Sequence, residues 1–104
     1  MSHRIEKINE LIKQELSKLF LLDFPGEIIT INFILTNSDL SESKIYLEIS
    51  SGNKEIFSEL CTRTPEYRKF LAEKLFIRKM PRLIFIHNKI SDSADRIEQL
   101  LENK

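Results

Sequence analysis

The apolar residues of this chain change period twice, and that change limits what it can fold into. Ile5, Ile8, Leu11, Ile12, Leu16, Leu19 and Phe20 recur at steps of three and four, which draws one apolar stripe along a helix. Lys7, Glu10, Lys13, Gln14 and Ser17 fall on its polar side. Asp23-Phe24-Pro25-Gly26 ends it, because proline restricts the residue before it and glycine permits a turn. Ile28 to Thr36 is then rich in β-branched residues and predicts a strand. Strict alternation puts Ile29, Ile31, Phe33 and Leu35 on one face and Ile28, Thr30, Asn32 and Ile34 on the other. Lys44 to Ser50 alternates in turn, with Ile45, Leu47 and Ile49 inward and Tyr46 and Glu48 outward. Joined by a polar stretch, the two strands predict an antiparallel hairpin with a longish loop.

The helical period then returns. Lys54 to Thr62 carries Ile56, Phe57, Leu60 and Cys61 on one face, and after Pro65 the pattern resumes through Tyr67, Phe70, Leu71 and Leu75. Proline suits the first turn of a helix and damages an interior, so Pro65 is expected to start a second helix at an angle to the first. Pro81 closes the next connection, and Leu83-Ile84-Phe85-Ile86 predicts a buried third strand. Ser91 and Asp92 suit the start of a last helix with Ala94, Ile97, Leu100 and Leu101 on its apolar face. The expected order is α-β-β-α-kink-α-β-α. A length of 104 residues fits one domain, 1–104, of the α+β class, with helices packed on a small three-stranded sheet.

Net charge is zero, but it is unevenly spread. The windows Arg4–Lys18, Asp23–Thr62, Arg63–Arg82 and Leu83–Lys104 carry +1, −5, +5 and −1. A polyanion senses the field within about 8–10 Å in physiological salt, so the local sign matters more than the total. Arg63, Arg68, Lys69, Arg78, Lys79 and Arg82 lie in the positive window, and Arg4 and Lys7 on the polar side of the first helix. Arginine forks onto phosphate oxygens and lysine adds point charge, which fixes position on RNA without reading much sequence. These eight are the candidate RNA-binding residues. The alternative is that they solvate amphipathic helices. Tyr46, pointing outward, either stacks on a base or packs against the neighbouring strand. Tyr67 belongs to the core by spacing, and Phe24 and Phe76, beside turns, are expected to be partly exposed.

Catalytic and metal chemistry find little material. His3, His87 and Cys61 are the only histidines and cysteine. Cys61 lies on an apolar helix face and His87 ends an apolar strand, so both suit structural places. Asp92, Asp95 and Glu98 recur at helical spacing on a solvated face with no partner base. No glycine-rich loop cradles a phosphate. The expectation is a protein with no catalytic residue, no metal and no cofactor, and with no small-molecule substrate. No apolar run approaches the roughly 18 residues of a membrane span, the first residues form no signal-peptide core, and one cysteine forms no internal disulfide. A cytoplasmic location without membrane contact is expected.

Several strings resemble one family. Ile29-Thr30-Ile31, Ser38-Asp39-Leu40 and Ser43-Lys44-Ile45-Tyr46-Leu47 are similar to the first hairpin of the bacterial ribosome-binding factor A family. Asp23-Phe24-Pro25 resembles its Asp-Pro stop after the first helix. Arg68-Lys69-Phe70-Leu71 and then Leu75-Phe76-Ile77-Arg78-Lys79-Met80-Pro81-Arg82-Leu83-Ile84-Phe85 resemble its run from a helix arginine through Leu-Arg and proline to Leu-x-Phe. Arg96-Ile97 and Leu100-Leu101 resemble its ending. Where the family shows Ala-x-Gly at a helix kink, this chain reads Arg63-Thr64-Pro65. Proline makes the bend but lacks glycine's close backbone approach and its N–H, while Arg63 adds a charge there. The resemblance implies a type II K-homology-like domain and a monomeric assembly factor. Such a factor binds free small ribosomal subunits and their rRNA, supports rRNA processing and leaves before translation. A protein-interaction or dimerisation module of the same fold is the other reading, motivated by the acidic window.

Overall fold

A computed structural model of the chain describes residues 2–77 and 79–88. The expected terminal helix, with Ser91, Asp92, Ala94, Asp95, Ile97, Glu98, Leu100 and Leu101, lies outside the described residues, as does Arg78. Helix α1 spans Ser2–Asp23 and is followed by β1 (Ile29–Thr36), β2 (Glu42–Ile49), α2 (Lys54–Thr62), α3 (Thr64–Leu75) and β3 (Arg82–His87). This is an α+β domain with three helices and a three-stranded sheet among the described residues. β1 pairs antiparallel with β2, and β3 pairs parallel with β2 on its other side, so β2 is central.

The stripe of α1 narrows to Ile8, Ile12, Leu16 and Phe20, all buried at steps of four. Ile12 and Leu16 lose all solvent contact, worth roughly 1.5–3 kcal/mol each. The helix stops with Phe24 N–H donating to the Phe20 carbonyl at 2.9 Å, and Gly26 then turns at φ +89°, a value that suits glycine. Ile45, Leu47 and Ile49 of β2 point into the core as expected, joined by Ile31, Leu83 and Phe85. Phe20, Tyr67 and Phe85 meet edge-on, with centroids 5.7–6.3 Å apart, and tie α1, α3 and β3 together. A polar pin crosses the same layer: Asn9 donates to the Ile34 carbonyl at 3.1 Å and accepts from Thr36.

β1 departs from strict alternation. Ile31 pairs with Leu47 but Phe33 pairs with Tyr46, so Asn32 is one residue too many on its strand. This β-bulge reverses the parity of everything after it. Ile34 is therefore buried, and Phe33 and Leu35, expected beside Ile29 and Ile31, point outward with nearly half their surface exposed. Tyr46 does face outward, where the Phe33 ring stacks on it at 4.4 Å and 18°, so it packs across the strands.

The helix pair forms as the proline predicts. Asn53 caps α2 by accepting from Glu55 N–H at 2.9 Å. Arg63, at φ −87° and ψ 5°, is the one residue between the helices, and Pro65 sits in the first turn of α3. The Thr64 hydroxyl donates to the Cys61 carbonyl at 2.6 Å, adding a side-chain bond across the bend.

Candidate nucleic-acid interface

The eight candidate cations separate into three places. Arg4 and Lys7 are exposed on the first turns of α1. That end of α1 lies beside the far end of β1, because Asn9 reaches Ile34 and Thr36. The other end of α1 meets the α2–α3 kink, where Asp23 accepts from the Tyr67 hydroxyl at 2.9 Å. Arg4 and the kink thus stand at opposite ends of a helix, about 28 Å apart at 1.5 Å per residue.

Arg63, at the kink, is absorbed into the fold. Its guanidinium lies 2.8 Å from Glu59 and 3.5 Å from Asp23, and stands over the Phe24 ring at 5.5 Å. The hydrogen bond to Glu59 is the main cause holding its pKa above the ordinary arginine value. Two carboxylates around one guanidinium leave no net positive charge there. Phe24, expected to be partly exposed, is only 5% exposed: Arg63 covers the ring from a distant part of the chain. Burial first, then the bond to Asp23, raises the Tyr67 hydroxyl well above its ordinary pKa of 10.

The third group lies where α3 returns to the sheet. Arg68 donates from Nε to the Pro81 carbonyl at 3.0 Å and from Nη2 to the Met80 carbonyl at 2.7 Å. It clamps the connection into β3, with Met80 and Pro81 buried beneath. Lys69, Lys79 and Arg82 are exposed around this clamp. The backbone N–H of Arg82 bonds Ser41 at 3.0 Å, which brings the β1–β2 loop alongside. In that loop, hydrogen bonds from Ser41 chiefly lower the Asp39 carboxyl's pKa, and the Lys79 charge adds to the effect. Lys79 and Arg82 therefore share one end of the sheet with the start of α1. Lys74, its ammonium 5.8 Å from the Phe70 ring, extends the group along α3 and was not among the eight. Phe76, beside it, is 91% exposed.

Two further chemistry-bearing side chains of the described residues are packed. His87 stacks on Phe57 at 5.1 Å, and Cys61 packs against the core, where burial raises its thiol pKa. Among the described residues no three or more His, Cys, Asp and Glu converge on a metal site, and no helix is long and apolar enough to cross a membrane. An open cleft of about 280 Å³ between α1 and β1 is lined by Glu6, Glu10 and Lys13 with Asn9, Phe33 and Ile34, a net negative site unsuited to phosphate.

The family model for ribosome-binding factor A matches residues 4–101. The chain belongs to the ribosome-binding factor A family. Ribosome-binding factor A of Chlorobium phaeobacteroides is 34% identical over 109 residues, covering 98% of this chain and 94% of that protein. That of Chlorobaculum parvum is 32% identical, covering 99% and 92%. Among solved structures, the crystal structure of ribosome-binding factor A from Thermus thermophilus has a TM-score of 0.63 at 19% identity, over 79% of this chain and 89% of that one. Coordinates of the same Thermus protein, a homology model fitted into a cryo-EM map of a complex with the 30S particle, have a TM-score of 0.67 at 19% identity, over 84% and 93%. At that identity the likeness speaks for the shared ribosome-binding factor A fold.

Proposed function

We propose that this chain is a small-subunit assembly factor that binds free small ribosomal subunits and their rRNA and supports rRNA processing. The family match along nearly the whole chain carries the reading. A relative fitted into a 30S complex map supports it. The chain acts by binding alone, as a cytoplasmic monomer, without cofactor or catalytic residue. Its RNA contacts are Lys69, Arg78, Lys79 and Arg82, with Arg4 and Lys7, which share one end of the sheet with Lys79 and Arg82. Arg63 and Arg68 serve this face indirectly, the first by holding the kink and the second by clamping the connection that carries Lys79 and Arg82.

Sedimentation of a cell lysate through a sucrose gradient tests the reading. Co-migration with free small subunits, absent from translating ribosomes and weakening with salt, is the expected result. Log affinity should fall with log salt by about 0.7–0.9 per phosphate contact. The dimerisation reading draws on the exposed Phe33 and Leu35 of the outer sheet face. A protein that stays at the top of the gradient at low salt, and sediments as a dimer when pure, would favour it instead.

A further inference from the structure

Phe76 stands where a helix ordinarily spends a glycine. α3 ends at Leu75, and Phe76 adopts φ 53° and ψ 38°, the left-handed conformation that closes many helices. Glycine takes that conformation at no steric cost and asparagine at little, whereas a bulky side chain there is unusual. The ring gains nothing in return from the fold: 91% of the residue is exposed, against 76% for Leu22 and 71% for Leu21. Backbone strain that the surrounding structure maintains points to a use outside the fold.

The flanks show how the ring is presented. Leu75 and Ile77 both pack against the core, and the left-handed turn between them lets both point inward while Phe76 points out. Three residues past Ile77 the chain is pinned again by buried Met80 and Pro81, whose carbonyls take the Arg68 fork. The ring therefore projects from a backbone fixed on both sides, and little ordering remains to be done on binding. Lys74 and Lys79 are exposed to either side of it in the chain, within the window of charge +5. An aromatic ring among cations is the combination that binds single-stranded nucleic acid, the ring stacking on a base and the cations meeting the adjoining phosphates.

We propose that Phe76 stacks on an unpaired base of the bound RNA, with Lys74 and Lys79 on the flanking phosphates. The proposal rests on the RNA-binding reading above and adds a contact to it. Stacking of this kind accepts any base, so the site selects an unpaired nucleotide rather than a sequence.

The chain contains no tryptophan, so a Phe76→Trp variant carries a single reporter at the site. Its indole emission should be quenched by an oligoribonucleotide of roughly twelve nucleotides and not by inorganic polyphosphate, which has the charge without the bases. Phe76→Asn keeps the left-handed turn and removes the ring. It should weaken oligonucleotide binding about tenfold with an unchanged salt slope, while raising the melting temperature by about 4 °C or more. Phe76→Tyr should bind within about twofold of the original, since it keeps the stacking face. If the unaltered protein binds RNA in a salt-dependent way but Phe76→Asn binds equally well and the indole is not quenched, the stacking contact is wrong and the RNA reading survives. If Phe76→Asn loses small subunits but keeps its oligonucleotide affinity, the ring docks on a protein and the proposal falls. If the unaltered protein binds neither oligonucleotide nor small subunits, both readings fall together.

Discussion

The Tyr67 hydroxyl donates to the Asp23 carboxylate at 2.9 Å, joining the end of α1 to the start of α3. Burial and this carboxylate raise the phenol's pKa, so the fold favours its neutral form. A folded pKa above the unfolded value of about 10 gives a contribution that is whole below pH 10 and is lost as pH climbs above it. Stability to urea should therefore decline above about pH 10. Tyr67→Phe should cost about 1.5–3 kcal/mol at neutral pH, the worth of one hydrogen bond to a charged group, and flatten the alkaline decline. An equally steep decline in that variant would place the alkaline sensitivity elsewhere.

Arg68 offers a sharper separation between folding and binding. Both of its bonds go to backbone carbonyls of Met80 and Pro81, and bonds from a charged donor are worth about 1.5–3 kcal/mol each when lost. Arg68→Lys keeps the charge and loses the planar fork. It should lower stability by about 2 kcal/mol, and Arg68→Gln, which removes the charge as well, should leave the salt slope of subunit binding unchanged. A lowered slope at unaltered stability would instead make Arg68 a phosphate contact.

What could be foreseen from the sequence follows how locally each feature is encoded. The α1 stripe and the β2 alternation are unbroken periods: the centre of the stripe, Ile8, Ile12, Leu16 and Phe20, lies inside, without Ile5 and Leu11 at its edge, and Ile45, Leu47 and Ile49 lie inside as read. β1 failed beyond Ile31 because a bulge adds one residue without any mark in the pattern, and parity is all that a period of two can convey. Pro65 announced the helix break because its missing N–H acts locally. The roles of the arginines were hidden for the opposite reason. Arg63 meets Asp23 and Phe24, and Arg68 meets Pro81, only after the sheet has brought distant segments together. In the sequence both are simply cations in a basic window. Phe76 carried a faint signal, an aromatic residue just past a helix with no glycine to close it.

Charge reversal should divide the candidate cations by place. Lys79→Glu with Arg82→Glu alters exposed side chains, so stability should change by no more than about 0.5 kcal/mol. Small-subunit binding should be lost at physiological salt. The single neutral changes Lys79→Gln and Arg82→Gln should each reduce the salt slope by about 0.7–0.9. Arg63→Gln should do the reverse. It leaves Asp23 and Glu59 without their shared partner, so it destabilises while the slope stays where it was. Equal slope losses for Arg63→Gln and Lys79→Gln would put the kink back into the RNA face.

The bulge at Asn32 makes a prediction that simple alternation contradicts. If Ile34 lies inside and Leu35 outside, their truncations must differ in the order the register dictates. Ile34 is 7% exposed and Leu35 47% exposed. Ile34→Ala should cost about 2–5 kcal/mol, the range for emptying a core site, and Leu35→Ala about 0.5 kcal/mol or less. Regular alternation from Ile29 demands the opposite ranking. Deleting Asn32 supplies the complementary test. Ile31 would still oppose Leu47 and Phe33 would still oppose Tyr46, so the ladder is left continuous and the inside residues stay inside. Its direct loss is the exposed hydrogen bond from Asn32 to Glu48 at 3.1 Å, about 1 kcal/mol or less. Equilibrium unfolding in urea measures all three variants. A deletion that unfolds the protein would mean that the bulge's added twist, and not only its parity, is needed to seat β1 against α1.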